Sequence, residues 1–134
     1  MICVDTTVLI DEFRARGNPE APVNRALLAH ATDTLLVPVV AVGEFLDGAA
    51  MVSDERFVQA VAWLQRRRSA GISFDCARLY GKIVSQLRRG GKLPGRSHND
   101  LWIAATALEF GAALLTRNAV DFDDITGLRV LAYG

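Results

Sequence analysis

Cysteine is nearly absent from this 134-residue chain: Cys3 and Cys76 are the only two, too few for a disulfide scaffold and not spaced as a Cys-x-x-Cys pair. A reducing cytoplasm is the expected compartment. Histidine is equally scarce, with His30 and His98 alone, which removes zinc sites built on His-x-x-x-His or on mixed Cys and His sets. Charge of one sign is lacking too, because 15 Lys and Arg balance 15 Asp and Glu. No overall field draws the chain to nucleic acid or anionic lipid, so any polyanion must be bound locally. No apolar run approaches the roughly 18 residues of a spanning helix, since Asp33, Glu44 and Asp47 bracket the most apolar stretch, Leu35 to Val42. No membrane association is expected. Asp5 interrupts the apolar opening Ile2-Cys3-Val4, and no positively charged region precedes it, so a secretory signal is not expected either. The chain also lacks Gly-x-Ser-x-Gly, a Walker A loop and Gly-x-Gly-x-x-Gly after a strand, which weighs against covalent serine catalysis and dinucleotide binding.

What remains is a chain rich in core formers, 51% hydrophobic and 22% charged, of a length suited to one domain spanning 1–134. Ile2 to Val4 reads as a short strand and is followed by a helix carrying Val8, Leu9 and Phe13 that ends near Gly17. Pro22 opens a second helix through His30. Leu35 to Val40 has strand length and continuous apolarity, with Pro38 marking an end or a bulge. Helical spacing returns over Ala41 to Met51 and again from Asp54 through Leu64. Ile72-Ser73-Phe74 alternates like a brief strand, and Asp75 is the expected cap of a helix through Leu87. The Gly-rich loop from Gly90 to Ser97 is the clearest break. A helix from Asp100 to Phe110, with His98 or Asn99 as cap, leads to a strand over Ala112–Leu115, and a last strand is expected at Leu128–Leu131. Short apolar strands alternating with amphipathic helices specify an α/β fold with a parallel sheet covered on both faces.

In such sheets ligands gather outside the carboxyl ends of the strands. Asp5, Glu44 and Asp121 each follow a strand, and Asp100 reaches the same edge because its helix runs antiparallel to the strand it feeds. Taken singly, each acid is equally a turn former, a cap or a partner for a helix dipole, and Glu44 within Val42-Gly43-Glu44-Phe45-Leu46 is equally half of a buried ion pair. Asp123 and Asp124 lie too near Asp121 for the sequence to choose among them. Several ionised carboxylates share one edge only with a cation between them, and hard oxygen ligands select Mg²⁺ or Mn²⁺. Asp5-Thr6-Thr7 is similar to the start of an aspartyl phosphotransferase, but the second Asp of that motif is replaced by Thr7. Of the two histidines, His30 is expected to be structural, and His98, at the mouth of the site, reads first as a solvent-exposed side chain, with a cap or substrate contact as the alternative. Arg66-Arg67-Arg68 reads as a solvated helix end. Arg88, Arg89, Lys92 and Arg96 instead flank the loop that leads to Asp100 and can line a path for a phosphate backbone.

These residues carry a resemblance that runs the length of the chain. Val4-Asp5-Thr6-Thr7-Val8-Leu9-Ile10, the isolated Glu44, Asn99-Asp100-Leu101-Trp102-Ile103-Ala104-Ala105-Thr106-Ala107 and Leu115-Thr116-Arg117-Asn118-Ala119-Val120-Asp121-Phe122, in that order, resemble the PIN-domain ribonucleases, in particular the VapC-type toxins of bacterial toxin-antitoxin pairs. The resemblance implies a Rossmann-like α/β/α sandwich with a five-stranded parallel sheet, a homodimer, and Mg²⁺- or Mn²⁺-dependent cleavage of RNA. It puts the acidic quartet on Asp5, Glu44, Asp100 and Asp121, with Thr6, Thr116 and Asn118 as supporting polar positions, and it accepts Thr at position 7. It also implies a cognate antitoxin covering an apolar groove, for which Val8, Phe13, Val23, Phe57 and Trp63 are the expected surface. A free-standing RNA-processing nuclease, a catalytically inactive binding module of the same fold and a metal-dependent phosphatase are the alternatives at this stage.

Overall fold

Five apolar segments become strands in the computed structural model, which describes residues 1–134: β1 (Ile2–Val4), β2 (Leu35–Pro38), β3 (Ser69–Ala70), β4 (Ala113–Thr116) and β5 (Val130–Ala132). All pair in parallel, in the order β3-β2-β1-β4-β5. Six helices connect and cover them: α1 (Thr6–Arg14), α2 (Pro22–Ala29), α3 (Val39–Val52), α4 (Asp54–Leu64), α5 (Phe74–Arg89) and α6 (His98–Glu109), with a 3₁₀ turn at Ala119–Asp121. This is the α/β fold with a five-stranded parallel sheet that the sequence predicts. No helix is long and apolar enough to cross a membrane.

The central strands explain the sheet. Every residue of β1 and β4 is buried, as parallel strands covered on both faces must be, and Val4 sits in register with Leu115. Helices on either side add Leu9, Ile103 and Leu101 to one continuous core. From β1 the chain moves to β2 and β3 on one side, then returns to β4 and β5 on the other. The order therefore reverses between β1 and β4, and a crevice opens there at the carboxyl ends of the strands.

Several boundaries differ from the sequence reading. The third strand is Ser69–Ala70 rather than Ile72–Phe74; Ile72 and Phe74 are exposed, because Ser73 caps α5 by accepting the Cys76 N–H. Serine, not the neighbouring Asp, His or Asn, also caps α4 and α6, through Ser53 and Ser97. β2 stops at Pro38, whose φ of −60° starts α3; a proline cannot donate to a ladder but suits a helix entry. The last strand starts two residues later and ends one residue later than expected.

The surplus of apolar helix residues is also partly accounted for. Val8 and Val23 are core residues. Phe13 packs edge-on against Phe45 and Trp63, at 5.4 and 5.2 Å between ring centres, while Phe57 stays partly exposed. A bidentate pair from Arg67 to Glu12, both bonds 2.8 Å, ties the end of α4 to α1.

Since β4 is central and buried, Leu114→Ala is expected to lower the unfolding free energy by about 2–5 kcal/mol in urea titration. Leu28→Ala, at a position 74% exposed, should stay within about 0.5 kcal/mol. Equal losses at both sites would contradict the core described here.

Candidate active site

Asp5 is the residue between β1 and α1, and its carboxylate is held from three directions. Oδ1 accepts the Val8 N–H at 3.2 Å and the Thr7 hydroxyl at 2.5 Å. Oδ2 accepts the Thr116 hydroxyl at 2.6 Å, from the end of β4 across the crevice. The Val8 bond is an N-cap; the Thr116 bond is not, and it joins the two strands where their order reverses. Both hydroxyls are themselves oriented, Thr116 by accepting the Asn118 N–H at 3.0 Å and Thr7 by accepting the Arg117 N–H at 3.2 Å. A carboxylate has about four acceptor directions, so Asp5 keeps one for a further partner. Burial pushes its pKa above the ordinary carboxylate range, against the pull of the Thr116, Thr7 and Val8 bonds.

Glu44 lies in the second turn of α3, directly above the end of β2. The Thr6 hydroxyl donates to its Oε1 at 2.6 Å, which ties α3 to the first turn of α1. No Lys or Arg pairs with it, so the ion-pair explanation of this embedded acid does not hold; the ion pairs of the chain lie elsewhere.

Asp100 stands in the first turn of α6, three residues after the Ser97 cap. An acid there normally reaches back to the cap's own N–H, but the bond formed runs only from the Asp100 N–H to Ser97 Oγ, at 3.3 Å. Its carboxylate faces other acids instead. Burial first, then the charges of Glu44, Asp5 and Asp121, push the Asp100 pKa up to about 6, and only Arg96 opposes them.

Arg96 also distinguishes Asp121 from its neighbours. Its two terminal nitrogens clasp both oxygens of Asp124 at 2.8 and 3.0 Å, and one of them donates to the Asp121 carbonyl at 2.9 Å. Asp124 is thereby neutralised and held below the usual carboxylate range, while the 3₁₀ turn carrying Asp121 is pinned beside the crevice. Asp121, not Asp123 or Asp124, is the acid of this loop whose charge acts on Asp100.

The structure thus places Asp5, Glu44 and Asp121 where their charges all act on Asp100, with Thr6 and Thr116 bonded to two of the four. Asn118 contributes its backbone rather than its side chain. His30 lies at the opposite edge, 3.1 Å from Asp33 ahead of β2, and His98 bonds to Tyr80. Two contributors escaped the sequence reading as members of the site. Thr7 was visible as a hydroxyl two positions after Asp5, whereas the Arg96 clasp spans 28 residues and leaves no local signal.

Hard oxygen donors without a paired cation suit Mg²⁺ or Mn²⁺. No three acidic, histidine or cysteine side chains close tightly enough to hold an ion by themselves.

A family model described as PIN domain matches residues 2–128. Ribonuclease VapC11 of Mycobacterium tuberculosis is 33% identical over 129 residues, covering 93% of this chain and 91% of that protein. Among solved structures, VapBC2 from Rickettsia felis, bound to a DNA fragment from its promoter, superposes with a TM-score of 0.84 at 22% identity over the whole of both chains. A toxin-antitoxin complex from Klebsiella pneumoniae gives 0.76 at 24% identity, over 98% of this chain and 97% of that one. With the sheet order, the acidic crevice and a match over nearly every residue in agreement, the chain belongs to the PIN domain family and, within it, to the VapC group.

Proposed function

We propose that residues 1–134 form a single metal-dependent endoribonuclease domain, the toxin of a toxin-antitoxin pair. The observation that carries this reading is Asp100, a half-buried carboxylate pressed by three other acids with no cation committed to it. The ribonuclease VapC11 relative supports RNA as substrate, and the Klebsiella pneumoniae complex supports an antitoxin as partner. A homodimer belongs to the same reading.

Asp5, Glu44, Asp100 and Asp121 would hold Mg²⁺ or Mn²⁺, directly or through water. When bound, such an ion polarises a phosphodiester and lowers the pKa of a coordinated water. The protein's own part is positional. Thr116, Thr7 and the α1 N-terminus fix Asp5, Thr6 fixes Glu44, and the Arg96 clasp fixes the loop of Asp121. The acids approach from four elements, so scissile phosphate and water meet in one geometry.

Neutral variants test this. Asp5→Asn, Glu44→Gln and Asp100→Asn should each reduce cleavage of RNA in Mg²⁺ or Mn²⁺ by at least about 100-fold and relieve growth arrest on expression. Full activity of the unaltered protein in EDTA would sink the metal reading.

Thermal melts probe the electrostatics separately. The folded pKa of Asp100 is about 6 against an ordinary 3.8, so the folded state binds this proton more tightly than the unfolded one. Stability from Asp100 is full below the unfolded value and is lost as pH rises through about 6. In EDTA at pH 7, Asp100→Asn should therefore melt above wild type, by on the order of 1 kcal/mol after discounting for solvent screening. Below about pH 3.8 the gap should close, because Asp100 of the wild type is then protonated in the folded and the unfolded state alike. Mg²⁺ at pH 7 should reverse the order, because only wild type gains the full binding free energy. A variant that melts lower in EDTA at pH 7, with no response to Mg²⁺, would leave these acids as ordinary caps.

The antitoxin is expected in a groove of about 180 Å³ between α1 and α3, lined by Ile10, Phe13, Phe45 and Val52 and reaching Glu44 at one end. Gly48 lines it, and a Cβ added there meets nothing within 4 Å. Gly48→Trp should thus fill the groove, weaken capture of the co-expressed antitoxin by about ten-fold or more, and leave the melting temperature unchanged or higher, since glycine is a poor helix former. Undiminished capture would place the antitoxin elsewhere.

A further inference from the structure

Between Cys76 and Asn99 there is no Asp or Glu, while Arg78, Lys82, Arg88, Arg89, Lys92 and Arg96 supply six cations in 24 residues of a chain with zero net charge. The segment comprises most of α5, the Gly-rich loop and the start of α6. Basic charge is therefore gathered on the stretch of chain that leads to Asp100.

A cavity of about 460 Å³ opens between the end of α5 and the start of α6, walled by Arg88, Arg96 and His98, with Leu93 and Pro94 beside them. Gly91 and Gly95 turn the loop around it with φ of +71° and +81°, a conformation that side chains beyond glycine resist. The three polar groups stand in different states. Arg96 is committed to Asp124 and to the Asp121 carbonyl, so it forms a fixed partition between cavity and acidic crevice. Arg88 makes no ion pair and is exposed. His98 is oriented: its Nδ1 lies 2.7 Å from the Tyr80 hydroxyl, and Tyr80 stacks on Trp102 at 3.7 Å with the rings 4° apart. That bond engages Nδ1 and leaves Nε2 of the His98 ring without a partner beside the cavity.

A free guanidinium, an oriented imidazole and a small apolar wall, one residue away from a crevice of carboxylates, suit an anion with an uncharged body attached. The carboxylates repel a polyanion, so its backbone needs an anchor just outside them. We propose that this cavity is a subsite for a backbone phosphate of single-stranded RNA flanking the phosphate at the acidic crevice, with Arg88 supplying the charge, His98 the hydrogen bond, and Leu93 and Pro94 contact with the sugar. The proposal rests on the ribonuclease reading and deepens it.

Fluorescence anisotropy with a labelled single-stranded RNA of about 12 nucleotides tests it, in Mg²⁺ and in an Asp100→Asn background that leaves the probe uncut. Arg88→Ala should weaken binding about five-fold or more near 0.1 M salt and reduce the slope of log affinity against log salt by about 0.7, the value for one phosphate contact on a single strand. Arg88→Lys should restore the slope. His98→Ala should weaken binding with the slope unchanged, and Arg66→Ala, at the distant end of α4, should alter neither. Because Arg88 and His98 are exposed, folding is not at stake. Unchanged affinity and slope in Arg88→Ala, alongside Mg²⁺-dependent RNA cleavage by the unaltered protein, would overturn the subsite and leave the ribonuclease reading standing. Absence of both cleavage and binding in the unaltered protein would overturn both.

Discussion

A single hydrogen bond, 2.6 Å from the Thr116 hydroxyl to Asp5, joins residues 111 positions apart at the place where the strand order reverses. Much of the site's geometry depends on it. β1 and β4 pair in register up to Val4 and Leu115, and the Asp5 N–H still donates to the Leu115 carbonyl at 3.4 Å; beyond that bond the strands part, leaving a gap with a buried carboxylate on one lip. Thr116 closes that gap with a hydroxyl whose own acceptor side is filled by Asn118 N–H. Asp5 is consequently fixed as part of the sheet, although it no longer belongs to a strand. The other acids are placed relative to it: Glu44 through Thr6 on the same helix turn, and Asp121 through the loop that follows Thr116. A buried acid held this firmly is costly to the metal-free protein, and the cost is offset by three donors rather than by a counter-charge.

Asp100 occupies the opposite situation. It has little hydrogen-bonding support, and its raised pKa expresses burial and repulsion that the fold leaves unrelieved. The nearest cation, Arg96, is diverted to Asp124. Had Arg96 paired with Asp100 instead, the chain would gain a salt bridge and lose the uncompensated negative potential around that carboxylate. Its bidentate grip on Asp124 leaves that potential in place.

How much of this was legible in the sequence follows from the range of each interaction. Strand and helix existence came from periodicity, and the convergence of Asp5, Glu44, Asp100 and Asp121 came from the rule that places loops after parallel strands on one edge. Boundaries were less visible. Ser53, Ser73 and Ser97 each precede a helix that an acid enters within two or three residues, and a linear reading credits the acid or its neighbour with the cap that the serine makes. β3 was misplaced because two exposed apolar residues, Ile72 and Phe74, imitate a strand better than Ser69–Ala70 does. Arg96 was legible as a cation near a loop but not as a clasp, since nothing local couples it to Asp124. The choice among Asp121, Asp123 and Asp124 hung on that clasp and so could not be made from the sequence.

The charge arrangement explains why a neutral chain is no obstacle to binding a polyanion. Acids are excluded from residues 76–99 and basic residues collect there, whereas the crevice gathers acids from four separate elements. The two regions meet at Arg96, which touches both through Asp124 and the Asp121 carbonyl. A uniformly basic surface would bind RNA in many registers, with the scissile phosphate rarely over the carboxylates. An acidic crevice alone would repel it. With the two adjacent, the basic stretch would hold an RNA strand beside the crevice, and a divalent ion among the carboxylates would reverse the local sign of charge that otherwise repels the next phosphate.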